Sequence, residues 1–331
     1  MRTHHSTAHI AVVLATAIGI IATPTLLYAE RPSDTPQAPR HPTHHTDASG
    51  TSRVLWEPSY KYEEDNFDRE YWQTVQRLGV ELAKRVTGFI EYLHASFREQ
   101  AIQHVTEEAV GAGVRSTLLD HHKLQLKFLE HTFSDPVDRQ TSWEAKADSQ
   151  WTETLQTSLL VGREPADTAQ ALQSGIRQDY YETRIEWTPR EQWHLSVMGV
   201  HDRLIDRNRR YKTEWQLGRE LPWVPGLQAV ALYSFDNMID RRPEYYSPHR
   251  VKSYQAGFSY WGTPTPKTWV WGRYVPGYGK ESGVDSWFVH VLDLSAGIQL
   301  TPNWSLNASL GLSRSPTYRS RTYVLASTLR F

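Results

Sequence analysis

Cysteine is absent from this chain of 331 residues, and neither charge sign is in excess, with 36 Lys and Arg against 37 Asp and Glu. Without cysteine the chain has no disulfide, no thiolate ligand for zinc and no cysteine nucleophile. Without a basic surplus it lacks the charge that displaces counterions from phosphates, so no nucleic-acid partner is expected. A phosphate-cradling glycine loop and a G-x-S-x-G elbow are also missing. These absences argue against common enzyme classes and against nucleic-acid binding.

Aromatic residues are abundant although the chain is polar on average. It has 13 Trp and 17 Tyr, and its mean hydropathy is -0.58. After the amino-terminal segment, no stretch approaches the roughly 20 apolar residues that a spanning helix needs. A membrane barrel remains compatible with this composition, because it needs apolar side chains only at alternate strand positions and carries aromatic girdles at both interfaces.

The first 29 residues have the pattern of a secretory signal peptide. Arg2, His4 and His5 precede an apolar run over residues 10–21. This run is short for a membrane anchor, and Ala29 fits the cleavage site. The sequence therefore predicts a signal peptide over residues 1–29.

Residues 30–52 are predicted to be a disordered leader. They are rich in Pro, Ser, Thr and His and have almost nothing apolar to bury. His41, His44 and His45 are expected to be solvated, since a flexible tract offers no second shell for a metal. No metal and no cofactor is expected, and residues 53–331 remain as the folded domain.

The end of the chain has the pattern of a β-strand. Residues 322–331 alternate with period two, and one face carries Tyr323, Leu325, Leu329 and Phe331. This segment resembles the terminal strand of bacterial outer-membrane β-barrels, whose last residue is commonly Phe. The resemblance implies that these four residues form a signal for the barrel insertion machinery. It also implies that the protein lies in the bacterial outer membrane, in contact with its lipids.

Apolar and polar faces also alternate in the preceding strands, as where Trp215 and Leu217 alternate with Glu214 and Gln216. In lipid every backbone polar group must be paired within the protein, so a spanning sheet has to close. The predicted fold is therefore all-β, a transmembrane antiparallel β-barrel with a hydrated lumen. The lumen-lining candidates are the polar residues that alternate with apolar ones: Tyr180, Glu182, Arg184, Glu186, Lys212, Glu214, Gln216, Asp293 and Gln299.

The pattern predicts about sixteen strands, and fourteen or eighteen remain alternatives. The segment VELAKRVTGFIEYLH, residues 80–94, also fits an amphipathic helix. The predicted strands are 53–63, 69–80, 86–98, 108–119, 122–133, 141–148, 152–163, 177–188, 191–205, 208–220, 227–237, 250–261, 267–275, 285–300, 303–313 and 317–331. Short turns marked by Pro are expected in the periplasm, and the longer polar connections 164–170, 237–249 and 276–284 are expected outside.

The last third resembles the C-terminal barrel of exopolysaccharide export porins of the poly-N-acetylglucosamine and cellulose secretion type. In that family an S-x-x-N segment and a Tyr-x-x-Pro block precede a strand with Gly and aromatics. Ser234, Asn237, Tyr245, Pro248 and Gly257 occur here in that order.

Tyr62, Asp65 and Asn66 are similar to the opening strand and loop of the same family. The resemblance implies a pore that exports a carbohydrate polymer and catalyses no reaction. Those exporters carry periplasmic tetratricopeptide repeats ahead of the barrel, whereas only residues 30–52 precede the first strand here. A separate periplasmic scaffold protein is therefore an expected partner.

Two alternatives remain open. The first is a diffusion porin for small solutes, in which a long loop folded into the lumen is expected; the modest loops 237–249 and 276–284 favour the exporter. The second is a barrel enzyme, for which His201 with Asp202 and Asp206, or His131 with Asp135, are candidate rim pairs. The mixed charges of the lumen candidates argue against a strongly anionic polymer, which would need a basic ring.

Overall fold

The computed structural model describes residues 54–66, 69–99, 104–118, 121–134, 136–242, 247–315 and 318–331. These residues form sixteen strands and one short helix, α1 (Ala169–Gln173). The strands are Val54–Asp65 (β1), Glu70–Ala83 (β2), Val86–Arg98 (β3), Val105–Leu118 (β4), His122–Phe133 (β5), Gln140–Gln150 (β6), Leu155–Pro165 (β7), Arg177–Arg190 (β8), Trp193–Leu204 (β9), Arg209–Glu220 (β10), Leu227–Met238 (β11), Val251–Thr265 (β12), Thr268–Lys280 (β13), Trp287–Thr301 (β14), Trp304–Arg314 (β15) and Arg319–Arg330 (β16). No helix in the described ranges is long and apolar enough to cross a membrane.

The sixteen strands form one closed antiparallel barrel. Each strand pairs with its neighbours in sequence, and the β1–β16 ladder closes the wall from Leu55, opposite Arg330, to Asp65, opposite Ser320. The predicted all-β barrel is confirmed, with sixteen strands. The helical alternative for residues 80–94 is wrong, because they form the end of β2, a turn and the start of β3.

The two faces of the barrel wall differ in chemistry. Side chains alternate along each strand and ladder partners share a face, so the pairing follows one face around the whole barrel. One face carries large exposed apolar side chains such as Leu126, Tyr181 and Trp215. On the other face Arg273 of β13 donates to Gln216 of β10. Side chains of non-neighbouring strands can meet only on the concave side, so the polar face is the inner one.

The two ends of the barrel also differ. One end, called the terminal end, carries both chain ends and connections of two to six residues. The opposite end, called the loop end, carries connections of four to twelve residues, the longest at residues 166–176 and 239–250. Residues 1–29 and residues 30–52, the latter with His41, His44 and His45, lie outside the described residues, so the signal peptide and the leader stay predictions.

The main error in the predicted strand bounds concerns β13. It was expected to end at residue 275, before a loop over 276–284, but it continues to Lys280. Pro276 lies opposite His290 within the β13–β14 ladder. Proline has a φ compatible with an extended chain and forgoes one ladder hydrogen bond, so a single Pro does not end this strand.

Candidate functional site: the inner face of the barrel

The register of the ladders places the nine lumen-lining candidates on the inner face of three strands. They do not form one cluster. Gln299 lies beside the turn at the terminal end, where its amide donates to the backbone carbonyls of Thr301 and Trp304. Tyr180 and Asp293 are buried in the wall. The candidates lie on β8 (Tyr180, Glu182, Arg184, Glu186), β10 (Lys212, Glu214, Gln216) and β14 (Asp293, Gln299).

An ion-pair network covers the inner face of β1–β5. Arg77 donates from Nε to Glu91 Oε2 over 2.7 Å and lies 3.7 Å from Glu57. Arg115 holds the Glu57 carboxylate with both terminal nitrogens, at 3.2 and 2.8 Å. Lys127 Nζ lies 3.4 Å from Glu91 Oε1. Each carboxylate therefore lies between two cations, which compensates the cost of burying Glu91 at 2% exposure.

Hydrogen bonds through the neutral side chains of Gln125 and Tyr180 extend this network towards β8. Arg115 Nε donates to Gln125 Oε1 over 2.9 Å, and Gln125 Nε2 donates to Glu144 Oε1 over 3.2 Å. Tyr180 donates its hydroxyl to the other Glu144 oxygen over 3.3 Å. One lumen candidate thus belongs to a polar belt that spans β1 to β8.

A second polar group lies on the wall formed by β10, β13 and β14. Arg273 donates from Nε and Nη2 to Asp293 Oδ2, over 3.0 and 2.8 Å. Its Nη1 donates to Gln216 Oε1 over 3.0 Å. Two predicted lumen residues are therefore brought together by an arginine that the sequence analysis did not select.

Three tryptophans near the terminal end were also missed. Trp269 and Trp271 share the inner face of β13 with Arg273, and Trp261 of β12 is the ladder partner of Trp271. Trp261 and Trp269 are half-buried, whereas Trp271 is buried and lies under the Arg273 guanidinium, 5.9 Å from the ring centroid. We call Trp261, Trp269 and Trp271 the tryptophan patch. Trp269 and Trp271 alternate with Arg273 at a spacing of two residues, and this was the available signal for the inner face; the aromatics were instead assigned to membrane girdles.

Glycines on neighbouring strands make room for large inner side chains to lie flat against the wall. A Cβ at Gly297 would overlap Trp269, and one at Gly113 would overlap Phe89. The Phe89 ring in turn lies under the Arg115 guanidinium, 5.3 Å from its centroid. The glycines therefore let the Trp269 and Phe89 rings lie along the wall.

The segment between β7 and β8 lies at the loop end, the side expected for residues 164–170, and it folds inward there. Its helix α1 begins after Thr168, whose side chain accepts from the Ala171 amide, and is followed by Gly175 at a φ of +67°. Threonine caps helix starts and glycine adopts positive φ at helix ends, so the sequence carried this signal. Five residues are too few to show a helical period.

Helix α1 touches two separate parts of the inner wall, one on each side of the β7–β8 connection. Ala169 and Leu172 pack among residues of β3, β4 and β5. Ala171 packs with Leu204 at the end of β9 and Met238 at the end of β11. These wall segments lie several strands apart on each side of the barrel. The segment therefore lies inside the loop end, against the β3–β11 side of the wall, and narrows the lumen there.

A hydrogen bond also fixes α1 to the β3–β4 connection. The Gln170 amide donates to Glu99 Oε2 over 3.2 Å. Burial raises the pKa of the Glu99 carboxyl, and this hydrogen bond acts in the opposite direction. An inward loop was the feature expected of a diffusion porin, so the loop-length argument for an exporter is wrong.

Ser142, His131 and Glu107 form a hydrogen-bonded trio on the inner face. His131 Nε2 lies 2.7 Å from Ser142 Oγ, and its Nδ1 bonds Glu107. This order is that of a nucleophile, a base and an orienting carboxylate. All three side chains are buried, and His131 lies between Leu129 and Phe133 of the apolar cluster that holds α1. A substrate has no access there, so the trio's role is to satisfy buried polar groups.

Of the two rim groups considered for an enzyme, the one formed by His201 with Asp202 and Asp206 is not assembled. His201 and Asp202 are successive strand residues on opposite faces of β9, and Asp206 faces Arg242 at 3.7 Å. Asp135 lies outside the described residues. Within the described part of the chain, no group of three or more His, Asp or Glu side chains is placed to hold a metal.

Residues of the resemblance stabilise the longest connection. The Asn237 side chain accepts from the Arg250 amide over 2.9 Å, and Met238 donates its amide to the Pro248 carbonyl over 2.7 Å. Gly257 packs where a Cβ would overlap the backbone of Tyr274. Tyr245 lies outside the described residues. These residues therefore hold the loop end of β11 and β12.

A closed sixteen-stranded barrel with an apolar outside and a polar inside is the architecture of bacterial outer-membrane β-barrel proteins. The chain is a protein of this class and resides in the outer membrane. Short turns lie in the periplasm in such barrels, so the terminal end is periplasmic and the loop end extracellular. The tryptophan patch thus lies at the periplasmic side and α1 at the extracellular side.

The chain is similar to several solved structures. A protein described as "Bacterial polysaccharide outer membrane secretin" is 13% identical, with a TM-score of 0.67 over 85% of this chain and 99% of its own. Pseudomonas aeruginosa OpdQ is 13% identical over 84% and 98%, with a TM-score of 0.43. OccK7 (OpdD) of the same organism is 11% identical over 84% and 97%, with a TM-score of 0.45. No protein-family model and no curated protein matches the chain.

Proposed function

We propose that the barrel exports an extracellular polysaccharide across the outer membrane. The observation that carries this proposal is the tryptophan patch at the periplasmic side, next to the hydrogen-bonding Arg273. Aromatic faces stack on sugar rings, and neighbouring polar groups bind hydroxyls. A polymer entering from the periplasm meets these side chains first. The similarity to a polysaccharide secretin barrel supports the proposal.

The charge of the inner face favours a neutral or cationic polymer. Sixteen Asp and Glu but only eleven Lys and Arg of the described strands face inward. Most basic groups of the network are already paired with these carboxylates. An acidic lumen repels a polyanion, so the export substrate is not a strongly anionic polymer.

A diffusion porin for small solutes is the second candidate, favoured by α1. A segment folded into the lumen sets a size limit for solutes, and its contacts with two parts of the wall keep it there. The two functions differ in what the pore binds, since a diffusion porin needs no affinity for sugar rings.

Conductance with oligosaccharides distinguishes the two functions. The refolded mature chain is inserted into planar bilayers and titrated with neutral, cationic and anionic oligosaccharides. An exporter is blocked by neutral or cationic oligomers at lower concentrations than by anionic ones. An open channel that none of the three blocks would support the diffusion porin instead.

Two protein partners are part of the proposal, one because of polysaccharide export and the other because of the pattern of the last strand. A separate periplasmic scaffold protein guides the polymer to the terminal end, and the barrel insertion machinery recognises the last strand. Tyr323, Leu325 and Phe331 are exposed on the outer face or at its end, and Leu329 is half-buried. The Phe331 amide donates to the Val54 carbonyl over 3.0 Å at the closing seam.

Removal of Phe331 is expected to impair assembly in the outer membrane, because the signal and a seam hydrogen bond are both lost. The measurement is the folded fraction in outer-membrane extracts, read from the heat-dependent gel mobility of the barrel. Phe331→Tyr keeps the aromatic ring and the backbone bond and serves as the control. Normal assembly of the truncated chain would show that Phe331 is not part of the signal.

A further inference from the structure

An arginine-rich cavity lies on the outer surface of the barrel at the extracellular end of β7–β10. It has a volume of about 470 Å³. Leu204, Ile205 and Asp179 line it together with five arginines, which we call the arginine cluster: Arg163, Arg177, Arg203, Arg207 and Arg209.

The strand register places the cluster on the lipid-facing side. Arg163, Asp179, Arg203 and Arg209 are successive ladder partners across β7 to β10. They continue the outer face that carries Tyr181, 47% exposed, on β8. The cluster therefore begins where the apolar band ends, at the level of the outer-leaflet headgroups.

The positive charge of the cluster is mostly uncompensated within the protein. Arg163 is paired with Asp179, at 2.6 Å from Nε to Oδ1 and 3.1 Å from Nη2 to Oδ2. Asp179 is the one acidic side chain lining the cavity. The other four guanidiniums make no ion pair among the described residues, and three of them, Arg203, Arg207 and Arg209, are exposed. Like charges held this close repel one another, so the site favours an anion.

We propose that the arginine cluster binds the phosphate groups of the glycolipid that forms the outer leaflet, the lipid A part of lipopolysaccharide. Guanidinium forks match phosphate oxygens with two parallel hydrogen bonds. The exposed Ile205 beside them gives an apolar contact for the lipid. An exported polymer passes along the inner face, so the outward position favours a lipid. This inference depends on the outer-membrane location and not on the transported solute.

The test measures lipid A binding to the folded full-length mature barrel in detergent by native mass spectrometry. The affected variant is Arg203→Gln/Arg209→Gln. The matched control is Arg190→Gln/Arg219→Gln, which removes two exposed arginines at the periplasmic ends of β8 and β10. We expect the cluster variant to lose at least about tenfold in lipid A affinity, and the control to bind like the wild type. Arg203→Lys/Arg209→Lys keeps the charge without the fork and is expected to bind with intermediate affinity.

Three results would overturn the proposal. The first is equal lipid A affinity of the cluster variant and the wild type. The second is equal affinity of the wild type for lipid A and for its dephosphorylated form. The third is arginine-dependent binding of inorganic phosphate as tight as that of lipid A, which would identify a site for soluble anions. Gel mobility with and without heating confirms that each variant is folded.

Discussion

Deleting residues 167–175 is expected to raise single-channel conductance several-fold. The deleted segment contains α1, which contacts the β3–β5 wall through Ala169 and Leu172 and the β9–β11 side through Ala171. Its removal opens the extracellular end of the lumen, while the β7–β8 ladder below it keeps its pairing from Leu155 to Pro165. The measurement is conductance in planar bilayers for variants that keep the heat-dependent mobility of a folded barrel.

A substitution in the same segment provides the control. Ser174 is exposed at the end of α1, so Ser174→Gln should leave conductance unchanged. Leu172→Glu places a charge in the apolar contact with the wall and should raise conductance without shortening the chain. A folded deletion variant with wild-type conductance would show that α1 does not narrow the pore.

Replacing Trp261 and Trp269 by alanine is expected to weaken oligosaccharide block by roughly tenfold or more. A pair of aromatic rings contributes about 0.5–1.5 kcal/mol beyond area burial, and we expect a similar contribution from each ring stacked on a sugar; each 1.4 kcal/mol is a factor of ten in affinity. Both rings are half-buried on the inner face and are available to a sugar. The measurement is the blocking concentration of neutral and cationic oligosaccharides in the same bilayer assay.

An outer-face tryptophan controls for general loss of stability. Trp215 is 46% exposed on the lipid side of β10, so Trp215→Ala should leave the blocking concentration unchanged. Gly297→Ala perturbs the patch in a second way. The added Cβ would overlap Trp269 and displace its ring, although the ring itself is still present. Unchanged block in the double tryptophan variant would remove the tryptophan patch from the proposed function.

The barrel could be predicted from the sequence because the same physical constraint applies to every strand. Lipid on one side and water on the other force an apolar and a polar residue to alternate, and this period is visible in sequence. The same alternation predicts which side chains of β8, β10 and β14 face the lumen, and the strand register has those side chains on the inner face. It failed at β13, where Pro276 was read as a strand end although a strand tolerates one missing donor.

The site was harder to predict because it depends on contacts between distant residues. Glu57 and Arg115 are 58 positions apart and meet only because β1 and β4 curve towards each other inside the barrel. The contacts of α1 with two parts of the wall are likewise set by closure. To predict the tryptophan patch, each Trp has to be assigned to the inner or the outer face of its strand. For Trp269 and Trp271, the charged Arg273 at the same alternating positions of β13 indicates the inner face.

The most direct test of polysaccharide export is efflux from liposomes that contain the oriented barrel. Neutral and cationic oligosaccharides of increasing length are enclosed, from disaccharides to chains longer than the barrel is tall. The wild-type chain and the variant without residues 167–175 are compared. If the barrel exports a polysaccharide, oligosaccharides longer than the barrel leave the liposomes at least through the variant without residues 167–175. Replacing Trp261 and Trp269 by alanine should then reduce this efflux. A sharp cut-off at short oligomers in both forms would contradict export and identify a diffusion porin.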